Sequence, residues 1–249
     1  MLKDIETLQM TFSEDLDKIF LLGVGAQRSA TTWFADSLKT CTGYATGMQK
    51  GYHVFDTEPH RYAAFPDIDT YFTYWSCLAH ANPEYKLFSD ICPSYCTMNT
   101  YMLSYIQQEF QKRGFHLKVV FLMRDPVTRA RSSLLHMMNS ESYDKETVKK
   151  KLRQTSDYAS TIISLDSIIP EEDLLYQFYE EMFDESFTSK VAKFLEDDSY
   201  RPDYNKKLSV SSYRQVDVDT LLYENDDLSK VYSFVESRFG RIPTAWKNL

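Results

Sequence analysis

The chain has little of what would place it outside the ordinary globular class. Its four cysteines, Cys41, Cys77, Cys92 and Cys96, form no Cys-x-x-Cys pair and no metal-ligand spacing. That excludes a disulfide scaffold and a zinc module as organising principles, and the thiols read as reduced and structural. Positive charge is in deficit: 28 Lys and Arg stand against 36 Asp and Glu, a formal net charge of −8. A broad basic surface for nucleic acid or heparin-like polyanions is thereby excluded, and any anion the chain binds has to meet local positive charge. Internal repeats and Gly/Ser linkers are missing. The opening stretch MLKDIETLQMTFSEDLDKIF is acidic throughout and has no apolar run of about seven or more. It resembles neither a signal peptide nor a membrane anchor, so a cytoplasmic location without membrane association is the expectation.

What is present fits one α/β core. A length of 249 residues, with 43% hydrophobic and 26% charged residues, predicts a single domain over 1–249 with residues 1–17 as a polar lead-in. The apolar run Ile19 to Val24 predicts a strand buried on both faces, and Thr31 to Leu38 the helix after it. Leu117 to Met123 predicts a second buried strand, followed by a helix through His136 that Asp125 caps and Pro126 opens. Gly43 to Met48 and Lys86 to Ile91 read as weaker strands, Asp144 to Ile169 as helical, and Leu174 to Phe183 as strand then helix. Strands interspersed with helices predict a mostly parallel sheet flanked by helices.

The loop Gly25-Ala26-Gln27-Arg28-Ser29-Ala30-Thr31-Thr32-Trp33 joins the first strand to its helix. Amides at a helix N-terminus, a fixed positive charge at Arg28 and two threonine hydroxyls make an anion site. A nucleoside triphosphatase loop, G-x4-G-K-[ST], does not fit, because Ala30 and Thr31 stand where its glycine and lysine would be. The second signature is Arg124-Asp125-Pro126-Val127-Thr128-Arg129-Ala130-Arg131-Ser132. Arg124 falls at a strand's carboxyl end, where open α/β sheets bind ligands, and its guanidinium can grip a phosphate with two donors. Arg129, Ser132 and His136 are spaced i, i+3 and i+7, which predicts one shared helix face toward that phosphate.

Together the two motifs, about one hundred residues apart, resemble the sulfotransferase family that uses 3′-phosphoadenosine 5′-phosphosulfate. The pattern is closest to heparan-sulfate-type and bacterial members. The first motif is similar to the family's 5′-phosphosulfate loop, G-x-x-K-[ST]-G-T-T, with arginine for the lysine and alanine for the last glycine. Alanine at position 30 predicts a backbone without strongly positive φ. The second is similar to the family's 3′-phosphate motif, R-[DN]-P-x-x-R-[AL]-x-S. Lys50-Gly51-Tyr52-His53-Val54-Phe55-Asp56 resembles a K-E-x-H-F-F-D stretch without its glutamate. Asp90-Ile91-Cys92-Pro93-Ser94-Tyr95 resembles E-K-[ST]-P-S-Y with isoleucine for lysine, and Leu174 to Met182 resembles a later strand and helix.

The resemblance implies a P-loop-like donor site made of Gln27, Arg28, Ser29, Ala30, Thr31, Thr32, Trp33, Arg124 and Ser132, with Lys206, Lys207 and Arg214 as a basic loop over the 3′-phosphate. It implies sulfuryl transfer to a hydroxyl or amine on a small-molecule or glycan acceptor, release of 3′,5′-adenosine bisphosphate, and no metal. Arg28 would meet the charge that develops on the leaving phosphate. The family's base is a glutamate or a histidine, and with Gly51 at the glutamate position His53 leads, ahead of Asp56, Glu58 and His60. The aromatic stretch Tyr52, Phe55, Tyr62, Phe65, Tyr71, Tyr74 and Trp75 reads as core for the most part, with an acceptor pocket as the other use. Two rival readings stand beside the enzyme: a non-catalytic nucleotide-binding protein, motivated by Gly51 and Ile91, and a nucleotide kinase, opposed by the missing G-K-[ST].

Overall fold

In the computed structural model, residues 17–56, 65–138, 145–208 and 226–247 are described. Four parallel strands, β1 (Lys18–Gly25), β2 (Leu87–Ile91), β3 (Phe115–Met123) and β4 (Leu174–Phe178), form one sheet in the order β2-β1-β3-β4. The first helix, α1 (Thr31–Ser37), follows β1; α2 (Ile68–Ala81) leads to β2; and α3 (Thr100–Lys112) leads to β3. Next come α4 (Pro126–Met138), α5 (Lys145–Ser156) and α6 (Tyr158–Ile168), then α7 (Glu185–Leu195) after β4 and finally α8 (Asp226–Phe239).

Alternation along the strands divides the core into two layers. Phe20, Leu22, Val24, Val119, Phe121 and Met123 face one side, where Phe72 and Trp75 of α2, Phe110 of α3, Ile162 of α6 and Val235 of α8 cover them. Leu21, Val120 and Leu122 face the other, under Phe34 of α1 and Phe187, Val191 and Leu195 of α7. Each large apolar side chain so covered contributes about 1.5–3 kcal/mol. Tyr52, Phe55, Tyr71 and Trp75 are buried in the first layer and Phe65 and Tyr74 pack against it, so these aromatics are core; Tyr62 lies outside the described residues. No described helix is long and apolar enough to cross a membrane.

Local sequence explains most boundaries. Asp125 caps α4, accepting the Thr128 N–H at 2.7 Å, and α4 starts at Pro126. Asp157 divides the long helical stretch by accepting the Ser160 N–H at 3.0 Å, which begins α6. The expected strand over Gly43 to Met48 does not form, and only a single bridge joins Tyr44 to Leu87. Ala45 donates to Leu87, but the N–H groups of Met48 and Gln49 donate to the hydroxyls of Tyr74 and Tyr52. Side-chain oxygens thus satisfy the backbone that a β2 ladder would have used.

Candidate functional site

The sheet order reverses at β1: its first crossover goes to β2 on one side and the next passes to β3 on the other. Loops leaving the carboxyl ends of β1 and β3 therefore diverge and leave a crevice. Here it is a cleft of about 720 Å³. Gln27, Arg28, Ala30, Thr31, Thr32 and Trp33 line it from the first loop, and Arg124, Thr128, Arg131, Ser132, Leu135 and His136 from the β3–α4 side. Lys50 and Pro93 contribute from the region around β2, and Tyr179, Phe183, Tyr204, Lys206, Lys207 and Leu208 close the outer wall. Of the predicted donor-site residues that are described, Ser29 alone is not in this lining; it is fully buried. Arg214, Glu58 and His60 lie outside the described residues.

Charge sets the cleft apart from the rest of the chain. Arg28, Lys50, Arg124, Arg131, Lys206 and Lys207 face it, and no carboxylate is among the described residues that line it. Burial, and then the neighbouring Arg124, hold the Arg28 guanidinium below its ordinary range. An anion between the two would relieve that repulsion. Lys206 is also tied to Asp36, whose carboxyl is pulled below the usual range first of all by this lysine.

The first loop and the β3–α4 turn are cross-linked. Arg28 Nε donates to Ser132 Oγ at 3.0 Å, Arg124 Nη1 donates to the Arg28 carbonyl at 3.1 Å, and Ser133 Oγ donates to Gln27 Oε1 at 2.6 Å. The Arg124 guanidinium also stacks 4.6 Å from the Tyr179 ring centre. Gly25 makes the tight departure from β1 possible: at φ 137°, an added Cβ would come within 3.1 Å of both Cys96 and the Pro93 carbonyl. Ala30 corrects the expectation from sequence, for it adopts φ 60°, ψ 21°, squarely left-handed. Within a few residues the loop must close a turn from the Ser29 N–H to the Ala26 carbonyl and then present the Ala30 carbonyl to the Phe34 N–H, α1's first bond. That geometry outweighs an alanine's cost of about 1–2 kcal/mol in the left-handed region.

Arg129 is also a correction. It is fully buried, its Nη2 donating to the Leu152 carbonyl at 3.1 Å, and it does not join Ser132 and His136 at the cleft. The cleft face of α4 is centred between Thr128, Arg131, Ser132 and Leu135, and at roughly 100° per residue Arg129 falls on the edge turned toward Ala130 and Ser133.

His53 adjoins the cleft without lining it. Its backbone is left-handed at φ 58°, and its Nδ1 lies 2.9 Å from Asp56 Oδ2, 3.3 Å from Cys92 Sγ and 3.4 Å from Ser94 Oγ. Ser94 in turn donates to Asp56 Oδ1. Donation of Nδ1–H to the carboxylate leaves Nε2 as the basic nitrogen of the neutral ring. Burial pushes the Cys92 thiol up to about 12, which keeps it protonated and a poor nucleophile. Among the described residues, the nitrogen, oxygen and sulfur donors of His53, Asp56 and Cys92 come nearest to a metal-ligand set, all within 4.8 Å, and hydrogen bonds account for their approach. Buried Asp90 accepts from the Tyr52 N–H and the hydroxyls of Tyr71 and Tyr95, and the Tyr95 oxygen accepts the Val54 N–H at 3.1 Å, fixing the chain on either side of His53.

Lys50 begins the Lys50 to Asp56 motif, and the sequence alone assigns it no role. Its Nζ donates to Thr31 Oγ1 at 3.1 Å and Thr32 Oγ1 at 3.3 Å. The available signal was the arginine at position 28, which left the loop without a lysine of its own. Tyr179 and Phe183 carry no signal in the sequence beyond the Leu174 to Phe183 segment; Phe183 is 41% exposed, with its ring 5.0 Å from that of Trp33.

No family model and no curated protein matches the chain. Solved structures do. A sulfotransferase from Alicyclobacillus acidocaldarius is 15% identical with a TM-score of 0.68, over 93% of this chain and 99% of that one. The sulfotransferase domain of the Synechococcus PCC 7002 olefin synthase is 13% identical at 0.54, over 91% and 95%. A sulfotransferase from Mycobacterium avium is 12% identical at 0.53, over 96% and 80%. At these identities the likeness is one of fold, and the chain has the fold of these sulfotransferases.

Proposed function

We propose that the chain is a sulfotransferase, moving a sulfuryl group from 3′-phosphoadenosine 5′-phosphosulfate to a hydroxyl or amine of a small-molecule or glycan acceptor. The observation that carries this reading is the cleft itself: in a chain of net charge −8, six cations and no described carboxylate line one crevice. Three of the cations fall into two groups: Arg124 and Arg28, the latter tied to Ser132, make one anion site, and Lys50 with Thr31 and Thr32 makes a second. A nucleotide with phosphate at C3′ and phosphosulfate at C5′ carries two anionic ends for such a pair. Phe183, which lines the cleft and is 41% exposed, offers an aromatic face to the nucleotide's base.

In the reaction the acceptor oxygen or nitrogen forms a bond to sulfur as the bond from sulfur to the bridging oxygen breaks. The electron pair stays on the 5′-phosphate, and the acceptor's proton passes to a base. His53 is the base in this reading, oriented by Asp56. Pro93 lines the cleft and joins the two residues that touch His53, Cys92 and Ser94, so the acceptor is expected to enter beside Pro93. Arg28 supports the donor chiefly from the side of its 3′-phosphate, through Ser132.

One observation favours a second reading, a nucleotide-binding protein without turnover. A Cβ at Gly51 would lie 2.9 Å from the Ile91 carbonyl and 3.2 Å from Cys92 Cα, so the glutamate position of the motif is sterically closed. Incubation with sulfur-labelled donor and a panel of hydroxyl and amine acceptors separates the two. Labelled product that disappears in His53→Ala supports the enzyme. Tight binding of 3′,5′-adenosine bisphosphate with no transfer to any acceptor supports the binding protein, and binding of ATP with magnesium in place of the bisphosphate supports a kinase.

A further inference from the structure

Arginine at position 28 stands where the resembled loop has its lysine. Two contacts draw it toward the β3–α4 turn: its Nε donates to Ser132 Oγ at 3.0 Å, and its carbonyl accepts from Arg124 Nη1 at 3.1 Å. The cation against the α1 threonines is Lys50, 3.1 and 3.3 Å from their hydroxyls. The Lys50 backbone is pinned, because its carbonyl accepts the Ile91 N–H at 2.8 Å at the end of β2. Gly51 then presses onto Ile91 and Cys92, which holds the chain against β2 and directs the Lys50 side chain to the first loop.

We propose that Lys50 is the cation for the donor's 5′ end: its ammonium holds the oxygen bridging phosphate and sulfur, a task moved from the loop to a residue outside it. This rests on the sulfotransferase reading. When the bond from sulfur to the bridging oxygen breaks, the electron pair remains on that oxygen and the Lys50 N–H donates to it more strongly. The ammonium keeps its proton, and the acceptor's proton goes to the separate base. The threonine hydroxyls accept from Lys50 and orient it.

The surroundings suit that task. Burial lowers the lysine to about 8, with Arg28 acting in the same sense and Cys92 and Asp90 opposing. At neutral pH the group is still cationic, yet its protons are more acidic than those of a surface lysine, which strengthens a hydrogen bond to a developing phosphate charge.

Three probes test it without knowledge of the acceptor: adenosine 3′,5′-bisphosphate, adenosine 3′-monophosphate and adenosine 5′-monophosphate, titrated into the wild type and Lys50→Gln. A charge-assisted bond of this kind predicts a loss of about 10- to 100-fold in affinity for the two ligands with a 5′-phosphate. Affinity for the 3′-monophosphate is expected to stay within about twofold. In the wild type, bisphosphate affinity should also fall as pH rises through about 8, and that fall should be absent in Lys50→Gln. Unchanged bisphosphate affinity in Lys50→Gln, or an equal loss for the 3′-monophosphate, overturns the assignment while leaving the sulfotransferase reading intact. A wild type that does not bind the bisphosphate overturns both. If Lys50→Gln does not fold, Lys50→Met, which keeps the packing of the stem and loses the charge, is titrated in its place with the same outcomes.

Discussion

Replacing Arg124 with alanine removes two contacts within the protein and, on the proposed function, a third to the donor. The guanidinium donates to the Arg28 carbonyl at 3.1 Å and stacks 4.6 Å from the Tyr179 ring centre. A net hydrogen bond of about 1 kcal/mol and a partly exposed cation–π contact of about 0.5–1 kcal/mol predict a stability loss of about 1.5–2 kcal/mol. In a chain of 249 residues that corresponds to roughly 3–8 °C in Tm. The third belongs to the proposed complex: a forked grip on the 3′-phosphate would contribute about 1.5–3 kcal/mol per bond to a charged group. Solvent reaches the cleft, so the lower half of that range applies, and the bisphosphate should bind roughly 100-fold or more weakly. Calorimetric titration of the wild type and Arg124→Ala with the bisphosphate and with adenosine 5′-monophosphate separates this from general damage. The 5′-monophosphate should lose less than about a third of that free energy, because the far anion site is untouched. Equal losses for both ligands, or no loss for the bisphosphate, would refute the assignment of Arg124 to the 3′ end. Arg124→Lys, which keeps the charge and loses the fork, is expected to fall between the two.

Further perturbations address other parts of the site. Gly51→Glu should lower stability by about 1–3 kcal/mol in urea unfolding and create no base, because its Cβ meets the Ile91 carbonyl and Cys92 backbone; an undiminished midpoint would contradict this. His53→Ala should reduce sulfuryl transfer by about 10²–10⁴-fold and leave bisphosphate affinity unchanged, and a matching loss of affinity would make His53 a structural residue instead. Asp90, raised by burial to about 7, binds a proton in the folded state that the unfolded chain has released between its ordinary 3.8 and about 7. Its contribution therefore makes stability fall as pH rises through that window, and Asp90→Asn should flatten the curve; an unaltered slope would show that its three donors keep Asp90 ionised.

The parts of this fold that could be read from the chain are those set by local chemistry. Buried strands at β1 and β3, the Asp125 cap and Pro126 start of α4, and the anion loop before α1 each follow from a few adjacent residues. Where the reading departed from the structure, distant groups decided. The Gly43 to Met48 segment lost its ladder to hydroxyls from Tyr52 and Tyr74. Ala30 went left-handed because a turn and a helix start had to meet within one loop. Arg129 turned inward to the Leu152 carbonyl of α5, a partner that spacing along α4 does not reveal. Lys50 lies 18 and 19 residues from the threonines it contacts, and only the closure of β2 against that segment brings them together.

The cleft has been read as a nucleotide site with an anion at each end, and ligand-induced stabilisation examines that reading without an acceptor. At one hundred times its dissociation constant, 3′,5′-adenosine bisphosphate should raise the unfolding free energy by about 2.7 kcal/mol, with no requirement for magnesium. ATP with magnesium, lacking the 3′-phosphate that Arg124 and Ser132 would hold, should give a much smaller shift at equal concentration. A large shift with ATP and magnesium and none with the bisphosphate would contradict the account.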